Sequence, residues 1–371
     1  MYRPDAVKRT RDFYNMAPDA GIIQNEFCYF CLDKWKELGH IDDSTDLDEL
    51  FGLEWAASYG LNDIGWCESN FVPGFTEEVL EDRGDHELVR DAAGRSVLYF
   101  KGRRSGFMPE YVGHPVSDMK SWEENCKWRL DPNSPERYEG FEQKSMEAKE
   151  YQDKGHFVRY ACIGGYMFLR SLMGPEDLLY KFYDEPELIH DCMQTWLRFA
   201  DKMIAERQKH VTVEELFIAE DICYKSGPLI SPDMMREFLF PYYQELINNI
   251  KKRNADRSKR FFFQVDTDGN CLPVIDVYME LGMDYMSPFE VASGCDVVAA
   301  AKKYPDLLIR GGFDKRILAA GKDAIDREIE RIMPFMKRRG GYMPSCDHGV
   351  PEEVDFNDYL HFRKRMLEYS E

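Results

Sequence analysis

Two aspartates one residue apart, Asp266 and Asp268, are the side chains in this sequence best placed to do chemistry. They follow an apolar run at residues 261–265 and precede a Gly-Asn turn at 269–270. The run predicts a strand buried on both faces, because a half-exposed strand would alternate with polar residues. Two carboxylates at a buried strand end repel each other and lose hydration. We therefore expect a cation or a shared proton to compensate them.

Polar residues also follow the other predicted strands of the chain. They are Glu220, Asp221, Glu290, Asp314, Cys346, Asp347 and His348. The carboxyl ends of parallel strands lie at one edge, where ligands bind in α/β folds. Four of these side chains are candidates for acid–base catalysis. They are Glu220, Asp221, Glu290 and His348. Asp314 and Asp347 could equally cap the helices after them, and a structural role is the alternative for His348.

A metal site is the second chemistry that these residue types allow. Asp266, Asp268 and Cys346 offer oxygen and sulfur ligands that suit Zn²⁺. The alternative for Cys346 is a buried structural thiol. The lone Cys-x-x-Cys at residues 28–31 lacks a second pair, and its aromatic neighbours favour a core helix instead.

The elements that must position these residues form a repeating pattern. Strand candidates occur at residues 157–162, 216–219, 261–265, 283–286, 307–310 and 342–344, each followed by a helical pattern. Alternation of this kind predicts an α/β fold with a parallel sheet, and no GxGxxG fingerprint is present. We expect a (β/α)8 TIM barrel spanning residues 1–371 as a single domain. Residues 1–155 would hold N-terminal helices and a small β-meander over the barrel mouth, and residues 156–371 the regular βα units.

Composition limits the partners and the compartment. Hydrophobic residues make up 44% and charged residues 31%, which is typical of a globular chain. A net charge of −20 argues against nucleic acid and anionic membrane as partners. No apolar run approaches the roughly 18 residues of a membrane helix. Residues 1–10 predict no signal peptide, and ten cysteines without a spacing framework predict a reduced, cytoplasmic setting. The sequence leaves open whether the chain forms a homodimer.

Several segments resemble the uroporphyrinogen decarboxylase superfamily. They lie, in order, at residues 219–232, 241–243, 265–270, 311–315, 340–344 and 347–351. Together they cover about residues 157–369. The resemblance implies a (β/α)8 barrel. It also implies either decarboxylation in heme synthesis or methyl transfer that depends on a corrinoid (cobalamin), with thiols or methyl ethers as the other substrate.

The chain departs from two branches of this superfamily. The true decarboxylases carry an arginine-rich N-terminal motif. In this sequence only Arg3-Pro4 matches part of that motif. Thiol-methylating relatives bind zinc through His-x-Cys and a distant Cys, and the matching positions here are Asp266, Asp268 and Cys346. The segment around residues 73–75 and the meander look more similar to the branch that demethylates ethers.

The resemblance therefore leads to a functional hypothesis. The chain would be the methyltransferase of an O-demethylase system, moving a methyl group from a small methyl ether to a corrinoid on a separate protein. Zinc or a protonated acid would help the oxygen to leave. Phe75, Phe107 and Tyr224 could line a pocket for an aromatic ring, with ordinary packing as the alternative for each. Two functional alternatives are a porphyrinogen decarboxylase and a non-catalytic corrinoid-binding protein.

Overall fold

The structure is a computed structural model that describes residues 5–104 and 109–370. The chain forms two compact units. The first unit holds residues 1–58, 223–228 and 263–371, and the second holds residues 59–222 and 229–262. The ten cysteines are all free thiols, in line with their irregular spacing. Within the described ranges, no helix combines the length and the apolar character needed to cross a membrane.

The helices and strands are numbered along the whole chain. The helices are α1 (Ala6–Tyr14), α2 (Leu32–Glu37), α3 (Leu47–Phe51), α4 (Met119–Ser121), α5 (Phe141–Asp153), α6 (Gly165–Met173), α7 (Asp177–Asp184), α8 (Pro186–Arg207), α9 (Pro232–Phe238), α10 (Phe240–Arg253), α11 (Leu272–Met279), α12 (Val297–Lys303), α13 (Lys315–Leu318), α14 (Lys322–Arg339) and α15 (Phe356–Leu367). The strands are β1 (Ser58–Leu61), β2 (Glu78–Asp82), β3 (His86–Arg90), β4 (Ser96–Phe100), β5 (Glu110–Gly113), β6 (Phe157–Ile163), β7 (Glu215–Ala219), β8 (Cys223–Tyr224), β9 (Gly227–Pro228), β10 (Phe262–Asp266), β11 (Tyr285–Ser287), β12 (Leu308–Arg310) and β13 (Tyr342–Met343).

The first unit is built on four parallel strands, β10 to β13, which pair in chain order. A helix follows each strand, as the alternating pattern predicted. The strands are short and almost wholly buried, which explains why they read as apolar runs. Asp266 is in register with Ser287, and Arg310 with Met343, so these side chains lie on one face of the sheet.

The second unit contains the parallel pair β6 and β7, with β1 next to β6 in the strand order. It also contains an antiparallel four-stranded sheet, β2 to β5. The meander predicted for residues 77–100 is therefore confirmed. Its fourth strand, β5, was not predicted, because the Gly- and Pro-marked residues before it indicated a loop.

Helix boundaries follow local chemistry, with one exception. The Ser231 side chain accepts a hydrogen bond from the backbone N–H of Met234, which caps α9 as predicted. The sequence predicts one long helix from that point. The structure instead has two helices, α9 and α10, that meet at Leu239. Pro241 explains the break, since proline lacks the N–H that a continuous helix requires and clashes with the preceding turn.

The sequence predicts helices over residues 1–60, and this prediction is wrong over much of that length. Residues 22–30 are non-helical and bond to the C-terminal part of the first unit. The backbone N–H of Phe30 donates to the Val350 carbonyl at 2.8 Å, and the N–H of Val350 donates to the Cys28 carbonyl at 2.9 Å. Long-range backbone pairing thus overrides the local helical pattern, and the core helix expected around the Cys-x-x-Cys does not form.

The structure confirms an α/β fold with parallel strands that alternate with helices. The closure of eight strands into a barrel stays a prediction. So do the single-domain organisation and the position of the N-terminal α+β segment over a barrel mouth.

Candidate active site

Asp266 ends β10 and is held by a short chain of hydrogen bonds. The Gln264 amide donates to the Ser287 hydroxyl at 2.8 Å, and that hydroxyl donates to Asp266 Oδ2. Asp268 is different, because its side chain is 48% exposed. Hydrogen bonding compensates one carboxylate and solvent the other. The two acids therefore do not require the shared proton or cation that the sequence suggested.

Asp268 lies close to a histidine from the far end of the first unit. Its Oδ2 is 3.7 Å from His348 Nε2. The backbone N–H of Gly349 donates to His348 Nδ1 at 2.9 Å, so the neutral imidazole carries its proton on Nε2. The N–H group on Nε2 therefore lies on the side of the ring that faces the Asp268 carboxylate. The predicted convergence of these two residues is confirmed by this distance.

Two phenylalanines flank the imidazole of His348. Their ring centroids lie 5.3 Å (Phe27) and 6.1 Å (Phe30) from it. Both rings are half exposed, at 43% and 47%. Sequence reasoning missed them, because it assigned their segment to a helix inside the core.

Glu290 fixes the turn that carries Asp268. Its Oε2 accepts hydrogen bonds from the Gly269 N–H at 2.9 Å and from the Ser293 hydroxyl at 3.0 Å. Lys315 Nζ lies 3.9 Å from its other oxygen. Gly269 has φ +76°, and a Cβ there would lie 2.7 Å from the Tyr224 carbonyl oxygen, so only glycine fits. The Tyr224 ring, in contrast, is 66% exposed, and its predicted role in substrate binding stays a prediction.

Cys346 and Asp347 are buried next to this turn. Burial raises the pKa of the Cys346 thiol well above its ordinary value, and the nearby charge of Glu26 raises it further. Asp347 accepts hydrogen bonds from the backbone N–H groups of Val291 at 2.8 Å and Lys315 at 3.2 Å. Burial nevertheless raises the pKa of Asp347. Asp347 does not cap the helix after it, whose N-cap is Asp355.

The capping alternative is correct for Asp314. Its side chain accepts a hydrogen bond from the Arg316 N–H at 2.9 Å at the start of α13, and its carboxylate pairs with the Arg316 guanidinium. This pairing lowers the pKa of Asp314 in spite of partial burial, which acts to raise it. Asp314 is therefore a structural residue.

The predicted zinc ligands do not fit a metal ion in this arrangement. Among the described residues, no group of three or more His, Cys, Asp or Glu side chains could hold one. Asp266 already accepts the Ser287 hydroxyl, and Cys346 is a fully buried thiol. We derive no step through zinc. Zinc binding stays a prediction, which elemental analysis of the purified protein checks.

Glu26 is a site residue that sequence reasoning missed. It is buried and accepts hydrogen bonds from the Cys346 N–H at 2.8 Å and the Tyr359 hydroxyl at 2.9 Å. Burial raises the pKa of Glu26, and the Arg363 charge opposes this increase. The available signal was three consecutive polar residues, 24–26, between Ile23 and Phe27, which a helical assignment does not explain.

The second unit holds the other two predicted acids. The Tyr243 hydroxyl donates to Glu220 Oε2 at 2.6 Å, and the Tyr166 N–H donates to Oε1 at 3.4 Å. Burial, and then the charge of Glu220, raises the pKa of Tyr243 well above its ordinary value. Asp221 has φ +42° and forms an ion pair with Arg170 at 2.5 Å. Both acids thus have fixed partners within this unit.

Phe75, one of the residues predicted to line a pocket for an aromatic ring, lies in the second unit. Phe75 packs edge-on against Phe71 at 5.6 Å, and the Arg129 guanidinium lies 4.2 Å from its ring centroid. Phe107 lies outside the described residues. A cavity of about 550 Å³ in this unit is lined by Trp66 rather than by Phe75. Binding of an aromatic ring by Phe75 and Phe107 stays a prediction.

The chain is similar in sequence to a known protein family. The sequence model of the uroporphyrinogen decarboxylase (URO-D) family matches residues 161–369. The chain is 24% identical over 135 residues to uroporphyrinogen decarboxylase from Hydrogenobaculum sp., which covers 36% of this chain and 37% of that protein. It is 22% identical over 199 residues to the decarboxylase from Alcanivorax borkumensis, 51% of each chain. The chain thus spans between 37% and 51% of the length of these relatives.

One solved structure is similar over nearly the whole chain. A methyltransferase from Methanosarcina mazei aligns with a TM-score of 0.58 over 98% of both chains, at 13% identity. At this identity the similarity establishes the fold alone. The family model covers more than half of the sequence and includes β10 to β13 with their polar ends. This chain therefore belongs to the uroporphyrinogen decarboxylase (URO-D) family.

Proposed function

We propose that this chain is a methyltransferase that moves a methyl group from a methyl ether, such as a methoxyarene, to the corrinoid of a separate partner protein. Family membership and the fold shared with a methyltransferase support this reaction class. One geometric observation carries the proposal. His348 has its proton on Nε2, which faces Asp268 in a half-exposed site with aromatic walls.

The chemical difficulty in demethylating an ether lies at the oxygen. When the C–O bond breaks, the oxygen leaves with a negative charge, and a phenol has a pKa of about 10. A proton delivered to this oxygen removes the charge as it develops. General acids of this kind accelerate reactions by about 10²- to 10⁴-fold.

The partners of the predicted acids favour His348 as the hydrogen-bond donor to the leaving oxygen. Glu290 accepts two hydrogen bonds, and Asp221 is paired with Arg170. Glu220 accepts hydrogen bonds at both of its oxygens. The carboxylate oxygens of these three acids are thus already used by donors within the protein. The Gly349 N–H selects the tautomer of His348 that keeps an N–H on Nε2, and this group can donate a hydrogen bond to the oxygen as its negative charge develops.

In this proposal, Asp268 is the positioning residue. Its carboxylate faces the Nε2 side of the ring and orients it, while the Gly349 N–H donates to the other nitrogen. The corrinoid supplies a strongly nucleophilic cobalt that accepts the methyl group. The chain has a net charge of −20, so a partner that presents a basic surface would associate faster. The cytoplasmic location and the homodimer stay predictions.

Porphyrinogen decarboxylation is the second candidate, because the curated relatives have that name. An eight-carboxylate substrate would require several free cationic side chains. In the first unit the described site presents acids instead: Glu26, Asp266, Asp268, Glu290 and Asp347. Release of carbon dioxide from uroporphyrinogen by the purified chain would establish this alternative.

The test compares two histidine variants in a methyl-transfer assay with a reduced corrinoid partner and a panel of methoxyarenes. His348→Asn should lower the rate of demethylation by about 100-fold or more. His361→Asn is the matched control, because this histidine also faces an aspartate, Asp326, at 2.9 Å on α15. An equal effect of both substitutions would contradict the role of His348.

A non-catalytic corrinoid-binding protein is the third candidate. Asp268→Ala separates it from the proposal. This variant should still bind the corrinoid partner but should demethylate more slowly than the wild type. If no methoxyarene or methyl ether is demethylated by the wild type, while the partner still binds, the non-catalytic alternative is correct.

A further inference from the structure

Arg310 lies in a row of polar side chains on one face of the first unit's sheet. Asp266 pairs with Ser287, and Arg310 with Met343, in the strand register. The alternate residues form a second row on the opposite face, which includes Ile309 and Tyr342. Tyr342 interacts electrostatically with Glu328 and Arg331 of α14 and with Asp296, the N-cap of α12, so this second row faces the surrounding helices. Arg310 therefore faces the side of the sheet that carries Asp266.

The guanidinium of Arg310 has no partner in the protein. It is partly buried, and within residues 5–104 and 109–370 no atom forms a hydrogen bond or an ion pair with it. Asp266, the acid of the same row, accepts the hydroxyl of the intervening Ser287. An arginine has five N–H donors, and removing such a group from water without a partner costs free energy. A ligand anion would supply the missing partner.

Asn25 provides a second, independent observation next to Arg310. Its amide is 4% exposed and contacts the sulfur of Met343, the register neighbour of Arg310, through Nδ2 at 2.8 Å. Its Oδ1 has no hydrogen-bond partner among the described residues. A half-turn of the amide exchanges its two ends, so this position can offer a ligand an acceptor or a donor. One polar group without a partner thus lies on β12, and a second lies against Met343 of the neighbouring strand β13.

We propose that Arg310 binds a carboxylate of the methyl donor, with Asn25 as a second contact. The substrate would be a methyl ether that carries one carboxylate, for example a methoxylated aromatic acid. A planar guanidinium binds a carboxylate through two parallel hydrogen bonds, which fixes orientation as well as position. One free guanidinium suits one carboxylate and not the eight of a porphyrinogen. This inference rests on the proposed function for the identity of the reaction.

The test compares para-methoxybenzoate with its neutral analogue, para-methoxybenzamide. With the wild type and a reduced corrinoid partner, the benzoate should have the higher kcat/KM. Arg310→Met should lower this preference by about 10- to 100-fold, the range expected for lost hydrogen bonds to a charged group. Arg338→Met is the matched control, because this arginine is exposed at the end of α14, and the preference should not change. Arg310→Gln serves the same comparison if Arg310→Met does not fold.

A binding measurement separates failure of this inference from failure of the proposed function. Calorimetry should detect para-methoxybenzoate binding to the wild type and much weaker binding to Arg310→Met. If this difference is found but no methyl transfer occurs, the anion site stands and the proposed function is wrong. If methyl transfer occurs and the wild type uses both donors equally well, the inference about Arg310 is overturned.

Discussion

Gly164 determines whether a buried carboxylate can occupy the end of β7. In the second unit, a Cβ at this position would overlap Glu220 Oε2 and lie 2.9 Å from the Ala219 carbonyl oxygen. Its φ of −71° is accessible to any residue, so the effect of a substitution would be steric and not conformational. Gly164→Ala should therefore displace the Glu220 carboxylate from the Tyr243 hydroxyl.

Two contributions determine how far Gly164→Ala should lower the free energy of unfolding. Inserting a methyl group into a packed site costs about 1–3 kcal/mol. Loss of a hydrogen bond to a charged group costs about 1.5–3 kcal/mol. The free energy of unfolding should thus fall by roughly 2.5–6 kcal/mol. The matched control is Gly60→Ala in the same unit, where a Cβ meets nothing within 4 Å, and its effect should stay within about 0.5 kcal/mol.

Urea unfolding, monitored by circular dichroism, measures both variants against the wild type. Gly164→Ala in a Glu220→Ala background isolates the overlap with the carboxylate, because that overlap is absent there. In that background, the decrease in the free energy of unfolding caused by Gly164→Ala should be smaller by about 1–3 kcal/mol. If Gly164→Ala is as stable as Gly60→Ala, or if its cost is the same in both backgrounds, the reasoning about the buried carboxylate is refuted.

Two further predictions concern the first unit. The pKa of Asp347 is raised by burial, so the stabilising contribution of its protonated form is complete below the unfolded pKa of about 3.9 and is lost as pH rises through the folded pKa. In urea titrations upward from pH 4, Asp347→Asn should weaken the decline of stability with pH, and Asp355→Asn should not. Cys346 is buried and its thiol pKa is raised, whereas Cys67 is exposed. Iodoacetamide followed by peptide mass spectrometry should label Cys67 before Cys346 in the native protein, and equal labelling would contradict the burial of Cys346.

The sequence predicts the elements that carry local signals. The apolar run before Asp266 predicts β10 to within one residue, and the helical pattern at residues 297–303 predicts α12. The Ser231 cap and the Asp314 cap also follow from local chemistry. In each case the residues that determine the structure are neighbours in the chain, so a local pattern is sufficient.

The residues that were missed depend on contacts between distant parts of the chain. Glu26 bonds to Cys346, and Asn25 contacts Met343, across more than 300 positions. A local sequence pattern carries no information about contacts between such distant residues. The prediction of a helix for the segment that contains Asn25 and Glu26 also gave no reason to expect these contacts. The sequence likewise did not identify Tyr243 as the partner of Glu220, to which its hydroxyl donates. Local periodicity predicts on which face of a helix or strand a side chain lies, but it does not identify the residue that this side chain contacts.

In the proposed reaction, the methyl group of an ether passes to the corrinoid of a partner protein. The most direct measurement uses a methoxyarene whose methoxy carbon carries an isotope label, mixed with the purified chain and a reduced corrinoid partner. The account predicts that the label appears on the corrinoid in equal amount to the phenol formed, and that His348→Asn slows both together. Phenol without label on the corrinoid, or label transfer that is insensitive to His348→Asn, would contradict it.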